Sequence, residues 1–245
     1  MATSAPERRT TRPSRLGVLA LCAAAYLYGS VPLVYAFGRR RRVDLKRVGS
    51  GNVGATNLLG ASGPSLATAG WIFDASKGYL PVALARRLGC CDEVAGIAGA
   101  CGIAGQCWPV TLRFQGGRGV SSYVGATAAL APAVWPFALL PMIGGGLWRA
   151  LPRVWHGSGK SKGRERAARS KSVPLGCFTS TVSYPLLYAG GTPDGRRAHV
   201  APALLSAVVL ARRLTASQPD DAGVGPARHR VALLYRLLYD RNTSA

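Results

Sequence analysis

Two short glycine-rich segments carry residue types and spacings from which chemistry could be built. The first reads Gly49, Ser50, Gly51, Asn52, Val53, Gly54, Ala55, Thr56, Asn57. Three glycines in six residues let backbone N–H groups converge into a concave nest, and Ser50, Asn52, Thr56 and Asn57 add neutral hydrogen-bonding side chains. Just ahead of a helix, such a loop suits an anionic oxygen, above all a phosphate. The second segment, Phe114 to Val120, sets Arg118 among Gly116, Gly117 and Gly119 at a predicted helix start. A guanidinium can grip phosphate through two parallel hydrogen bonds, and the helix dipole favours the same charge. Either segment alone could be a flexible turn. Together, on one predicted face, they favour a phosphorylated ligand. A third feature is Asp74, three residues before Lys77 in an otherwise apolar stretch. Residues three apart share a helical face, so this pair forms either an internal ion pair or a wall of the ligand pocket.

The elements that position these residues are long and apolar. The chain has 245 residues, a net charge of +21, 48% hydrophobic residues and only 17% charged ones. The charges come in clumps between uncharged runs, which excludes a coiled coil, a collagen or a small disulfide scaffold. A bilayer crossing needs about 20 apolar residues. Candidate spans are Leu16 to Phe37, Pro64 to Ala85, Val94 to Leu112, Val173 to Pro193 and Ala198 to Leu214. Gly119 to Trp148 is an uncharged run of 30 residues holding Pro132, Pro136 and Pro141, which reads as two spans joined near Ala131 to Trp135. The fold expected is an all-α integral membrane protein of about seven helices, with glycine-rich loops at the cytoplasmic face. A soluble bundle of buried helices would leave too little polar surface for water. The arginines before Leu16 could mark a secretory signal, but the apolar run outlasts a signal core and reads as a first membrane helix.

Counting Lys and Arg orients the chain. Seven spans put 22 on the side that holds both glycine segments and 8 on the other; six spans give 20 against 10 with the orientation reversed. The larger contrast favours a multi-pass cell-membrane protein with its site facing the cytoplasm. The basic tail 1–15, a membrane domain 16–214 and a cytoplasmic tail 215–245 follow. Basic loops lie against anionic head groups. The run Lys160 to Lys171 has no interleaved aromatics, so no nucleic-acid partner is expected. The six cysteines lack metal-ligand spacing and the three histidines are scattered, so no metal site is expected.

These motifs, in this order, resemble the bacterial acyl-phosphate:glycerol-3-phosphate acyltransferases (the PlsY family). Gly29, Ser30 and Pro32 match its GS-x-P; Asp44 and Gly49 to Asn57 match D-x-x-x-x-GSGN-x-GATN. Asp74, Lys77, Gly78 and Pro81 match D-x-x-KG-x-x-P, and Gly105, Pro109, Phe114 and Gly116 to Val120 match GH-x-x-P…F-K-GGKG-V. The resemblance implies a seven-helix enzyme moving a fatty acyl group from acyl phosphate to the 1-hydroxyl of glycerol 3-phosphate, giving lysophosphatidate, with no metal or other cofactor. It implies Ser50 and Arg118 at the reacting groups. Gly49, Gly51, Asn52, Gly54, Thr56, Asn57, Asp74, Lys77, Gly116, Gly117, Gly119 and His229 would bind substrate. The chain departs from the pattern at Gly60, where the family has arginine, and at Gln106 and Gln115, where it has histidine and lysine. Its third motif is echoed from His229 to Leu238, with Ala232 in place of asparagine. The alternative to an active transferase is a degenerate relative that binds a phosphorylated lipid or a partner protein.

Overall fold

A computed structural model describes residues 14–49, 51–155, 172–191, 200–215, 233–234 and 236–238. Among the described residues there are helices and no strands. The elements are α1 (Arg15–Gly29), α2 (Leu33–Arg40), α3 (Ala55–Ser62), α4 (Pro64–Arg87), α5 (Asp92–Cys107), a 3-10 turn (Val110–Leu112), α6 (Val120–Leu130), α7 (Trp135–Trp155), α8 (Ser172–Gly191) and α9 (Val200–Thr215).

Local chemistry sets several of these ends. Ser14 caps α1, its Oγ accepting from the Gly17 N–H at 3.1 Å. The run expected as one span from Leu16 to Phe37 breaks at Ser30 to Pro32, because Pro32 cannot continue the hydrogen-bond ladder of α1. The stretch Arg15–Arg40 still meets the length and apolarity of a bilayer crossing, with 26 residues and a mean hydropathy of 1.8, and it is the one stretch among the described residues that does. The other helices are shorter or carry polar groups. The long run from Gly119 breaks between Leu130 and Trp135, beside Pro132. The run Val94 to Leu112 is helical only to Cys107, and α3 was not anticipated at all.

Packing relies on glycine. A Cβ at Gly78 would overlap the Ser122 carbonyl oxygen, and one at Gly125 would overlap that of Ala75, so α4 and α6 touch backbone to backbone. Gly29 meets Gly102 and Gly105 in the same way and draws α1 onto α5. Pro81 lacks the N–H that would bond the Lys77 carbonyl, and Gly102 lets α5 close over that freed oxygen. The larger core joins α4, α5, α6, α8 and α9 around Val82, Ile103, Tyr184 and Leu205. A smaller one, with Val34, Leu45, Val53 and Leu58, binds α2 and α3 to the first glycine segment. Large apolar side chains also face outward, among them Leu16, Leu27, Ile72, Phe137, Leu147 and Leu186. Apolar surface on that scale is what a lipid environment accepts and water does not.

Candidate functional site

The polar floor of the site is built on α4. Asp74 and Lys77 are one helical turn apart, and their side chains form an ion pair of 2.9 Å while remaining 2% and 1% exposed. On the lysine side that burial is helped by further partners. Lys77 Nζ also donates to Gln106 Oε1 on α5 and sits 5.1 Å from the Phe73 ring centroid. The ion-pair reading of these two residues is met. Both also line a narrow cleft.

The cleft gathers residues that lie far apart in sequence. Gly29, Ser30 and Pro32 come from the break after α1, and Tyr35 from α2. Val53 comes from the first glycine segment, Gln106 and Pro109 from the end of α5, and Gly116 and Gly117 from the second. Ser30 is held by its Oγ donating to the Tyr26 carbonyl at 2.9 Å, while its own carbonyl accepts from Thr111 Oγ1 at 2.5 Å.

The two glycine segments lie side by side. Lys46 Nζ donates to Gln115 Oε1 at 3.2 Å. The Asn52 amide reaches from Gly54, where its Nδ2 would stand 3.2 Å from an added Cβ, toward Gly117, where its Oδ1 would stand 3.9 Å from one. Gly49 and Gly51 take left-handed φ of 59° and 67°, with the Gly51 N–H donating to the Val48 carbonyl at 3.1 Å, whereas Gly54 is extended at −100° and caps α3. Thr56 is exposed in the first turn of that helix. Ser50 and His229 lie outside the described residues.

Three of the expected ligands also have bonds within the protein. Asn57 Nδ2 donates to the carbonyls of Leu45, Val48 and Asn52 at 2.9, 3.0 and 2.9 Å. An amide carries two hydrogens there, so three acceptors take up its donor capacity, and Asn57 acts as the staple that folds the loop. The backbone of Gly116 and Gly117 is occupied too. Their N–H groups donate to the carbonyls of Cys107 and Gln106 at 3.2 and 3.0 Å, extending the end of α5. Their own carbonyls accept from Arg212 on α9, Nη2 to Gly116 at 2.8 Å and Nε to Gly117 at 3.0 Å. These two glycines shape the wall without donating to a ligand.

Arg118 directly precedes the start of α6. Gly119 caps α6 with φ 73°, packed against Cys107 Sγ and Ile103. Arg118 is half-buried, and Cys107 lies within electrostatic reach of Arg212, Arg118 and Lys77 together. Three cations thus converge beside the cleft.

The model of the family described as glycerol-3-phosphate acyltransferase matches residues 19–150. The chain belongs to this family. It is 40% identical over 139 residues to glycerol-3-phosphate acyltransferase 5 of Dehalococcoides mccartyi, covering 56% of this chain and 60% of that relative. The chain thus spans less than two thirds of several curated relatives, although a Synechococcus glycerol-3-phosphate acyltransferase is 33% identical over 196 residues, covering 80% and 86% of the two chains. Among solved structures it is similar to PlsY (YgiH), an integral membrane glycerol 3-phosphate acyltransferase, in its glycerol 3-phosphate form. The TM-score is 0.65 at 29% identity, with 80% of this chain and 88% of that one covered. The lysophosphatidic acid form gives 0.63 at 28% identity.

Within this acyltransferase fold, Arg212 and Arg213 offer from sequence only a second alignment of the third motif, also without asparagine, and no site role; yet Arg212 grips the second glycine segment from 95 residues away in the chain. Arg213 Nη1 and Nη2 donate to the carbonyls of Leu237 and Pro174 at 2.7 and 3.0 Å. The sequence signal was present, since two adjacent arginines end an apolar helix, but such pairs ordinarily mark a membrane boundary. Gln106 was read only as a departure from the family histidine, yet it is the acceptor for Lys77.

Proposed function

We propose that this protein transfers a fatty acyl group from acyl phosphate to the 1-hydroxyl of glycerol 3-phosphate, giving lysophosphatidate. The observation that carries the proposal is convergence: every family-like motif before residue 120 contributes a residue to, or lies against, one cleft floored by Asp74 and Lys77. The names of the relatives, and the glycerol 3-phosphate and lysophosphatidic acid forms of the similar structures, point to the same chemistry.

The donor is an activated mixed anhydride. The hydroxyl oxygen attacks the acyl carbonyl carbon, the bond to the phosphate oxygen breaks, and hydrogen phosphate leaves with the electron pair and the hydroxyl proton. The protein's task is then to align two phosphorylated molecules and to offset their charge. In this reading Arg118 clamps a phosphate, with the dipole of α6 behind it, and Ser50 holds an oxygen of the reacting groups. Asn52 and Thr56 line the approach, Gly49, Gly51 and Gly54 shape it, and His229 binds substrate. Membrane lipid surrounds a spanning unit of residues 16–214 with seven crossings, and the cleft opens to the cytoplasm. No metal or cofactor enters this scheme.

The test is phosphate release by purified protein in detergent. Release from acyl phosphate should require glycerol 3-phosphate and fall in Arg118→Ala. Release that never exceeds that variant's would favour instead a relative that binds a phosphorylated lipid without transferring an acyl group.

A further inference from the structure

The mouth of the cleft carries a cation that neither glycine motif announces. Lys46 is half-buried in the turn after α2, its Nζ 3.2 Å from Gln115 Oε1 and 5.7 Å from the Tyr35 ring centroid. Tyr35 lines the cleft, and Gln115 adjoins Gly116, which also lines it. The ammonium therefore stands where the two glycine segments meet.

Its backbone is held firmly. The Lys46 N–H donates to Asp44 Oδ1 at 3.1 Å, and the preceding Leu45 is fully buried, with its carbonyl bonded by Asn57. The Asp44 carboxylate is faced by Arg39 and Arg47 at 3.9 and 3.8 Å. Among the described residues Lys46 pairs with no carboxylate. Its ammonium meets an amide oxygen and a ring face, both neutral, so its charge is available to an incoming anion. The cations deeper in are engaged: Lys77 is neutralised by Asp74, and Arg212 spends its fork on two carbonyls.

We propose that Lys46 is a phosphate-binding residue of the substrate site, its ammonium moving from Gln115 Oε1 onto a phosphate at the cleft mouth. The flexible four-carbon stem permits that short transfer. It supplies from the first segment the charge that Gln115 does not supply from the second. This rests on the phosphorylated-substrate reading above.

The experiment compares the unmodified protein with Lys46→Met, Lys46→Arg, and Lys46→Met combined with Gln115→Lys. Two readouts are taken in detergent: the thermal shift on titrating inorganic phosphate or glycerol 3-phosphate, and KM and kcat for acceptor-dependent phosphate release. Loss of one charge-assisted contact predicts that Lys46→Met raises the titration midpoint and KM about tenfold while kcat changes less than about threefold. Lys46→Arg should stay near the unmodified values, and Gln115→Lys should restore most of the loss. A merely structural lysine would lower the ligand-free melting temperature and kcat together and would not be rescued by a lysine on the other segment. An unchanged midpoint in Lys46→Met, absence of rescue, or no phosphate-induced shift in the unmodified protein overturns the proposal. If the unmodified protein transfers no acyl group but its anion shift still depends on Lys46, the transferase reading fails and this one stands. If transfer proceeds equally well in Lys46→Met, the reverse holds.

Discussion

Arg212 offers the sharpest test of how the cleft is held. The residue is 9% exposed, and its guanidinium sends two hydrogen bonds, of 2.8 and 3.0 Å, to consecutive carbonyls at Gly116 and Gly117. Its Cζ also lies 5.8 Å from the Trp108 ring centroid. Lysine keeps the charge but offers a point, where the two carbonyls need a planar fork. Arg212→Lys should therefore lose about one charge-assisted bond, on the order of 1.5–3 kcal/mol. Arg212→Ala loses both bonds and the ring contact and leaves two carbonyls facing a cavity, a loss of about 3–5 kcal/mol. If the glycine wall must be in place for the reacting groups to align, a loss of 1.5–3 kcal/mol corresponds to kcat/KM falling about 10- to 150-fold. The assay is acceptor-dependent phosphate release, with melting in detergent measured alongside. Hydrogen exchange at residues 115–119 reports the wall directly. If Arg212→Ala exchanges there at the unmodified rate and keeps kcat/KM within about twofold, the wall does not depend on α9 and the reasoning fails.

Asn57→Ala should free the turn formed by residues 45–52, raising amide exchange there and lowering kcat/KM; a KM effect with unchanged exchange would show that Asn57 contacts substrate instead. Asp74→Asn leaves Lys77 buried without its counter-charge and should destabilise by about 3–5 kcal/mol, read as a lower melting temperature, whereas Asp74→Asn with Lys77→Met should recover part of that loss. Gly78→Ala drives a methyl group into the Ser122 carbonyl and should cost about 1–3 kcal/mol or more, while Gly60→Ala, with nothing within 4 Å of its added Cβ, should be neutral or stabilise by up to about 1 kcal/mol. Comparable melting temperatures for those two glycine variants would contradict the close packing of α4 on α6.

What could be read from the sequence was local. The break between α6 and α7 was visible because Pro132 cannot donate to a helix ladder running through it, although Pro81 shows that a helix can continue past a proline where its neighbours accommodate the freed carbonyl. The Asp74–Lys77 pair was visible because a spacing of three fixes a shared face. By contrast, α3 is short and contains glycine and serine, so no apolar period announces it. The first span looked continuous because Gly29, Ser30 and Val31 carry no charge, and only Pro32 hinted at a bend. Within the site, the glycine positions were legible as left-handed or close-packed candidates. The partners of their peptide groups were not. Cys107, Gln106 and Arg212 take those bonds through tertiary packing, and residue spacing holds no record of it. Asn57 shows the same limit, since one amide serves equally well as a ligand or a loop staple.

The double engagement of Gly116 and Gly117 bears on recognition. With their donors and acceptors satisfied by α5 and α9, this stretch has little freedom left to surrender when a ligand arrives, so little conformational entropy opposes association there. Selectivity between competing phosphate esters would then come from steric match to a preset contour, not from closure around the guest. A bulkier polyol phosphate would be rejected by collision, and widening the contour, more than adding affinity, is the way to broaden what the protein accepts.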